Sequence, residues 1–266
     1  MTLIAGVAGQ PITHSLSPLI HGAWIRAAGL DADYRPFGPA DIDEFDALVA
    51  RGRSGDLRGL NVTAPFKAQA LALADEVSAM ARACGSANLL LFADGHVSAD
   101  STDGAGLMAA LAEQAPDLDV RGRSVVMLGA GGAARAAVAT LKTAGAEVAV
   151  LNRTRARAEA LAMDLGVSVA EPNALETAAL VVNALSVPPE IDLSVLPDDA
   201  VVMDMTYRPL ITPFLAAAAG RGLTVVDGLA MLIGQARPSF AALFGIDPPD
   251  IDVRTLALAA LGETAQ

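Results

Sequence analysis

The sequence predicts an α/β chain of two domains. Short apolar, β-branched runs alternate with helix-like runs almost from end to end, the pattern of helices crossing over a sheet. From residue 123 the alternation is cleaner and carries a glycine-rich turn between an apolar run and a helical one. After Asp227-Gly228 the pattern changes to helices alone. These shifts place an N-terminal α/β domain over residues 1–100 and a second domain over 101–227. The tail, 228–266, folds back to complete the first domain, because its apolar helices need a core to cover.

In the first domain, LIAGVA (3–8) reads as a strand, and Ser17-Pro18 as N-cap and first residue of a helix ending near Gly29. ADYRPF follows as a strand. Asp41 and Glu44 then have capping-box spacing before a helix that reaches about residue 50. LRGLNV is a third strand, and Pro65 opens the next helix. DEVSAMARAC is helix-like. SANLLLF and HVSA pair as a hairpin across Asp94-Gly95, a type I′ turn signal. In the second domain, RSVVMLGAGGAARAAVATLKTAGAEVAVLNRT reads as strand, glycine turn, helix, Gly145 stop and strand. VSVA, LVVNAL, AVVMDM and LTVVD supply further buried strands. The tail holds two helices, LAMLIGQARPSFAALFG and DVRTLALAALGE.

Composition excludes several classes. At 53% hydrophobic and 18% charged, the chain has the make-up of a packed protein. No apolar stretch reaches the roughly 18–20 clean residues of a spanning helix, so no membrane partner is expected. MTLIAGVAGQP lacks a basic region ahead of its apolar residues and does not read as a signal peptide. A net charge of −12 opposes a general nucleic-acid partner. The one cysteine, Cys84, allows no internal disulfide and fits a reducing compartment, so the cytoplasm is the default location. His14, His21 and His96 show no grouping with carboxylates or thiols, and no metal is expected. Trp24 reads as core.

Gly129-Ala130-Gly131-Gly132-Ala133-Ala134 fits G-x-G-x-x-[GA] and sits where that motif requires, after an apolar strand and at the start of a helix. The first glycine permits the tight turn, the second lets backbone N–H groups approach a pyrophosphate, and the small last residue lets helix and strand pack closely. A dinucleotide is the expected ligand. The second strand of that unit ends in Asn152-Arg153-Thr154, followed by Arg155 and Arg157, with no carboxylate where an NAD site keeps one for the ribose 2′-hydroxyl. Arginines suit a 2′-phosphate, and a helix start disfavours them otherwise, so NADP is expected over NAD.

Elsewhere the polar residues have ordinary readings beside functional ones. Ser15 and Ser17 alternate around Leu16, although Ser17 also fits a cap. Thr63 precedes a proline-started helix. Asn61, Asn88 and Gln235 offer donors and acceptors to a small polar ligand or to local backbone, and Gln235 shares a helical face with Met231. Asp103 stands at a helix start, where many aspartates are caps. Lys67 is one of only two lysines among eighteen basic residues. It falls in the first turn of a helix, where the macrodipole disfavours a cation, and its amine can exchange protons where a guanidinium cannot.

GQPITHSLSPLIH, NVTAPFK, STDGAG, GAGGAARA, NRT, DMTYRPLITPFL and DGLAMLIGQA, in this order and spacing, resemble the shikimate dehydrogenase family over almost the whole chain. The resemblance implies a substrate domain joined to a Rossmann NADP-binding domain, and NADP-linked reduction of 3-dehydroshikimate to shikimate. It puts the catalytic pair on Lys67 and Asp103 and contacts to a small cyclic hydroxy acid on Ser15, Ser17, Thr63, Asn88, Tyr207 and Gln235. It puts the dinucleotide contacts on Gly129, Ala130, Gly131, Gly132, Ala133, Asn152, Arg153, Thr154 and Arg157. A monomer or homodimer is expected. The chain departs from the family pattern at Ser101, where asparagine is usual, at Leu89 and Leu185, where threonine is usual, and at Gly22, where asparagine is common. Because a site built to bond a hydroxyl discriminates steeply, these changes leave open quinate or an aminated shikimate as substrate. A non-catalytic NADP-sensing protein of the same fold is the reading from another class.

Overall fold

The computed structural model describes residues 2–185 and 187–263 and divides into two compact units, Met1–Thr102 with Gln235–Gln266, and Asp103–Gly234. The first unit begins with β1 (Leu3–Ala8), α1 (Ser17–Ala28), β2 (Ala32–Phe37), α2 (Ile42–Arg53) and β3 (Gly59–Val62). It continues with α3 (Lys67–Ala72), β4 (Glu76–Val77), α4 (Ala79–Cys84), β5 (Leu89–Ala93) and β6 (His96–Asp100). Its six-stranded sheet has the order β2-β1-β3-β5-β6-β4. β1 lies parallel between β2 and β3, and the β5–β6 hairpin adds the antiparallel half. Phe45, Leu60, Phe66, Leu90 and Phe92 centre the core on one face.

Caps decide where these helices start. Asp41 Oδ1 accepts the Glu44 N–H at 2.9 Å, while Glu44 Oε2 accepts from the Ala40 N–H at 2.8 Å, a capping box whose return bond is displaced by one residue. At α1 the sequence expectation fails. Leu16 is the N-cap and no side-chain hydroxyl caps the helix, so Ser17 is already the first helical residue. Pro65 does not open α3 either: Phe66 is its N-cap and Lys67 its first residue. DEVSAMARAC is likewise not one helix, because Glu76 and Val77 pair with β6 and the Ser78 hydroxyl caps α4. The hairpin turn is as expected, with Asp94 and Gly95 both at positive φ (51° and 80°) between paired Ala93 and His96.

The second unit contains α5 (Asp103–Gln114), β7 (Ser124–Leu128), α6 (Gly132–Thr143), β8 (Glu147–Leu151), α7 (Arg155–Leu165), β9 (Ser168–Val169), β10 (Leu180–Asn183), β11 (Val201–Asp204), α8 (Pro213–Gly220) and β12 (Thr224–Val226). All pairings in its sheet are parallel, in the order β12-β11-β10-β7-β8-β9. Both faces are covered. Val125 and Met127 join one apolar cluster and Val126 and Leu128 another, which is why these strands read as continuous apolar runs. α9 (Gly228–Phe244) opens with Asp227 Oδ1 accepting the Ala230 N–H, and its residues from Gln235 onward belong to the first unit. α10 (Val253–Leu261) packs against α1 in that same unit.

Candidate active site

The first unit gathers its polar residues at one edge of its sheet. Ala8 pairs with Val62, Asn61 with Leu89 and Leu89 with Asp100, so β1, β3 and β6 all end there and β5 begins there. Ser15 and Ser17 are half-buried in the segment between β1 and α1, and the Ser17 N–H donates to Ser15 Oγ. Thr63 follows β3, its N–H bonded to Ala8 O. Lys67 is half-buried at the first position of α3, and its carbonyl accepts the Ala87 N–H at 2.9 Å, which ties this helix start to the residue before Asn88.

Behind this edge lies a hydrogen-bond network. Asn88 is 4% exposed and accepts the Thr102 N–H on Oδ1 at 2.8 Å. Its Nδ2 donates to Thr102 Oγ1 and to Gln235 Oε1, both at 3.0 Å. Asn61, which the sequence offers either to a ligand or to local backbone, is engaged within the protein. Its Oδ1 accepts from Tyr34 Oη at 2.8 Å, and its Nδ2 donates to Ser239 Oγ at 2.9 Å and Asn88 O at 3.2 Å. Tyr34, Thr102 and Ser239 were not legible as site residues, since nothing local in the sequence marks them. Met231 does not share Gln235's role: it packs in the apolar core of the second unit.

Three other residues of this unit are buried, two of them, Ser101 and Leu89, at departures from the family pattern. Ser101 is buried, and its Oγ has no hydrogen-bond partner among the described residues. Leu89 is core, 2% exposed. His21 is 1% exposed, stacked on Tyr34 at 4.1 Å between ring centroids and edge-on to the core residue Trp24. Burial lowers its pKa to about 3, so it is a neutral core histidine. His14 is exposed and Cys84 is buried.

In the second unit, Leu128 pairs with both Leu151 and Asn183, and Asn183 with Asp204. Gly129, Asn152, Ala184 and Met205 therefore leave the sheet at one edge, and β7 is the strand at which the order reverses, where open α/β sheets bind ligands. Gly129 has φ +111°, and a Cβ on it would meet Leu185 Cδ2 at 3.1 Å, so the turn requires glycine. Gly131 is the N-cap of α6, with no side-chain cap bond, and no acidic residue occupies the first turn. A Cβ on Gly131 or Gly132 would meet nothing within 4 Å. Ala134 behind them is fully buried. The result is a twelve-residue helix whose uncapped N–H groups face open ground, the arrangement that accepts a phosphate.

The arginines beyond β8 are not equivalent. Arg155 is held by Glu159 at 3.0 Å and Glu171 at 3.2 Å, carboxylates that raise its pKa. The guanidinium groups of Arg153 and Arg157 are exposed and make no hydrogen bond or ion pair among the described residues. Asn152 Nδ2 donates to Thr154 O at 2.9 Å, closing the turn that carries Arg153, and Thr154 caps α7 without a side-chain bond. Unengaged guanidiniums past the second strand, with no carboxylate in the ribose position, fit a 2′-phosphate.

Asp103 is buried at the first position of α5. Tyr207 is half-buried on the segment after β11, which the buried Asp204 pins by accepting from Asn183 Nδ2 (3.1 Å), the Thr206 N–H (3.0 Å) and Thr212 Oγ1 (2.8 Å). Among the described residues there is no group of three or more His, Cys, Asp or Glu suited to a metal ion, and no helix long and apolar enough to cross a membrane.

A parallel sheet of this order, with a bare helix N-terminus at its switch point, defines a dinucleotide-binding protein. The model of the shikimate dehydrogenase substrate binding domain matches residues 7–90, and that of shikimate / quinate 5-dehydrogenase matches residues 110–194. A shikimate dehydrogenase (NADP(+)) of Caulobacter vibrioides is 54% identical over 276 aligned residues, covering 98% of this chain and 96% of that one. The chain belongs to the shikimate dehydrogenase family. Among solved structures, shikimate 5-dehydrogenase from Thermus thermophilus, in complex with NADP(H) and shikimate, is 35% identical with a TM-score of 0.86 over 93% of this chain and 95% of that chain. Quinate dehydrogenase from Corynebacterium glutamicum, in complex with NAD, is 30% identical with a TM-score of 0.84 over 93% and 95%.

Proposed function

We propose that this chain interconverts 3-dehydroshikimate and shikimate with NADP as cofactor. The observation that carries the reading is the polar edge of the first unit, where Thr63, Lys67, Asn88 and Gln235 come together in a chain 54% identical to an NADP-linked shikimate dehydrogenase. The bound dinucleotide supplies or takes up the hydride at the ring carbon. The N–H groups around Gly129, Ala130, Gly131, Gly132 and Ala133 hold its pyrophosphate. Asn152, Arg153, Thr154 and Arg157 hold its 2′-phosphate end. Ser15, Ser17, Thr63, Asn88, Tyr207 and Gln235 bind the carboxylate and hydroxyls of the ring. Lys67 protonates the developing alkoxide oxygen and recovers that proton in the reverse direction, and Asp103, the other member of the proposed catalytic pair, holds a ring hydroxyl. The enzyme works in the cytoplasm as a monomer or homodimer.

Quinate is the second substrate to test, because the buried hydroxyl of Ser101 has no hydrogen-bond partner among the described residues where the family carries an asparagine. Formation of the reduced cofactor, followed by the near-ultraviolet absorbance of its nicotinamide, would be compared for shikimate and quinate with NADP+ and with NAD+. Higher kcat/KM for shikimate with NADP+ is expected. Faster turnover of quinate, or of NAD+, would replace the assignment.

A further inference from the structure

The network behind the substrate edge admits one arrangement of its amides. The Thr102 backbone N–H points at Asn88 at 2.8 Å and can only donate, so the atom it meets is Oδ1. Asn88 then turns Nδ2 toward Thr102 Oγ1 and Gln235, and the Gln235 atom that receives it is Oε1. Flipping the Asn88 amide would oppose donor to donor in a buried place, which buried polar groups do not tolerate. Gln235 is half-buried, and its Nε2 makes no hydrogen bond among the described residues. The free end of Gln235 is therefore its donor end.

Ser239, fully buried one helical turn beyond Gln235, braces this arrangement from behind. Its Oγ donates to Gln235 O at 3.1 Å, accepts from Asn61 Nδ2 at 2.9 Å, and lies 3.1 Å from Thr102 Oγ1. Tyr34 in turn fixes Asn61 through its Oδ1. We propose that Thr102 and Ser239 are positioning residues that hold Gln235 as a hydrogen-bond donor, so the substrate atom opposite it is an acceptor oxygen. The inference rests on the assignment of Gln235 to the substrate site. It has a consequence for selectivity: an ammonium group at that ring position offers only donors and is rejected, so an aminated analogue is a poor substrate.

The test compares Thr102→Val, which keeps the shape and the backbone N–H but removes the hydroxyl, with Thr102→Ser, which restores it. In the full-length enzyme, Thr102→Val is expected to raise the KM for shikimate about tenfold and leave that for NADP+ within about twofold, while Thr102→Ser stays within about threefold of the parent. Gln235→Glu, which replaces the donor by an acceptor, is expected to lose shikimate binding and to lose less toward an ammonium-bearing analogue. A second readout needs no substrate. The Asn88 side-chain amide, assigned in a nitrogen-edited NMR spectrum by its loss in Asn88→Ser, is expected to exchange slowly in the parent and in Thr102→Ser, and fast in Thr102→Val. Should Thr102→Val not fold, Ser239→Ala enters the same measurements with the same expectation. An unchanged shikimate KM together with an unchanged Asn88 amide in the hydroxyl-free variant overturns the proposal. If the parent fails to oxidise shikimate but its amide behaves as expected, the positioning role stands and the substrate assignment falls.

Discussion

The two unengaged arginines beyond β8 make cofactor choice measurable. Replacing Arg153 or Arg157 by alanine removes a guanidinium that has no partner among the described residues, so no internal ion pair is lost with it. A hydrogen bond to a charged group contributes about 1.5–3 kcal/mol. Both side chains are exposed, so the low end applies, about 1.5 kcal/mol each, or roughly tenfold in affinity. They stand four residues apart and, on the proposed reading, meet the same phosphate, so their effects should overlap, and the double variant should weaken NADP+ binding by between roughly tenfold and a hundredfold. NAD+ lacks the phosphate, and its affinity should stay within about twofold. Arg155, already shared between Glu159 and Glu171, is the control: Arg155→Ala should change neither affinity by more than about threefold. Isothermal titration at two salt concentrations reads all of this, and higher salt should erode the NADP+ preference. The reasoning is refuted if the Arg153 and Arg157 variants lose NAD+ as much as NADP+, or if Arg155→Ala has the largest effect.

Lys67→Ala should lower kcat by roughly a hundredfold or more, with the Kd for NADPH unchanged, and Lys67→Arg should not restore it, because a guanidinium does not release its proton; near-normal kcat in either variant removes the lysine from the chemistry. His21 is neutral in the fold with a pKa of about 3 against 6.5 when exposed, so the unfolded chain binds a proton that the folded chain refuses between those values. Its contribution to stability is complete above pH 6.5 and falls as pH drops toward 3, by about 1.4 kcal/mol per unit, so the difference in urea stability between the parent and His21→Phe should shift at that rate from pH 6 to pH 5. Equal pH slopes for the two proteins would mean the ring is not held neutral. Gly104→Ala should cost about 1–3 kcal/mol, because the new Cβ overlaps Thr140 Oγ1 and lies 3.0 Å from Thr140 Cβ where α5 packs on α6; thermal unfolding measures it, and Thr140→Ala should recover part of the loss.

What was legible in the sequence is what contiguous residues determine. The parallel sheet of the second unit follows from apolar runs alternating with helices, and its glycine turn from six neighbouring residues whose conformations are set locally. The helix starts show the limit of such reasoning. Ser17 has the right type for a cap, but the chain is already helical at that residue because Leu16 takes the cap position, and only backbone angles record that. The arginines show another limit. Arg155 differs from Arg153 and Arg157 in two ways: Glu159 stands one helical turn on, a spacing the sequence shows, and Glu171, on a different part of the chain, reaches back to it, which no local pattern records.

The substrate edge takes this further, since residue type alone does not say which end of an amide a ligand meets. Asn61, Asn88 and Gln235 carry the same donors and acceptors. They differ only in which groups face them from behind. Tyr34 and Ser239 hold Asn61 from both sides, so it serves the fold. The backbone of Thr102 fixes Asn88, and Asn88 fixes Gln235. The obligate donor at the origin of that sequence is a peptide N–H, which substitution of the Thr102 side chain leaves in place; what the hydroxyl adds is an acceptor that makes the arrangement rigid. On the proposed reading, selectivity at Gln235 is thus a property of residues that need not touch the substrate, and a relative with the same Gln but a different residue at 239 would present that amide with less order.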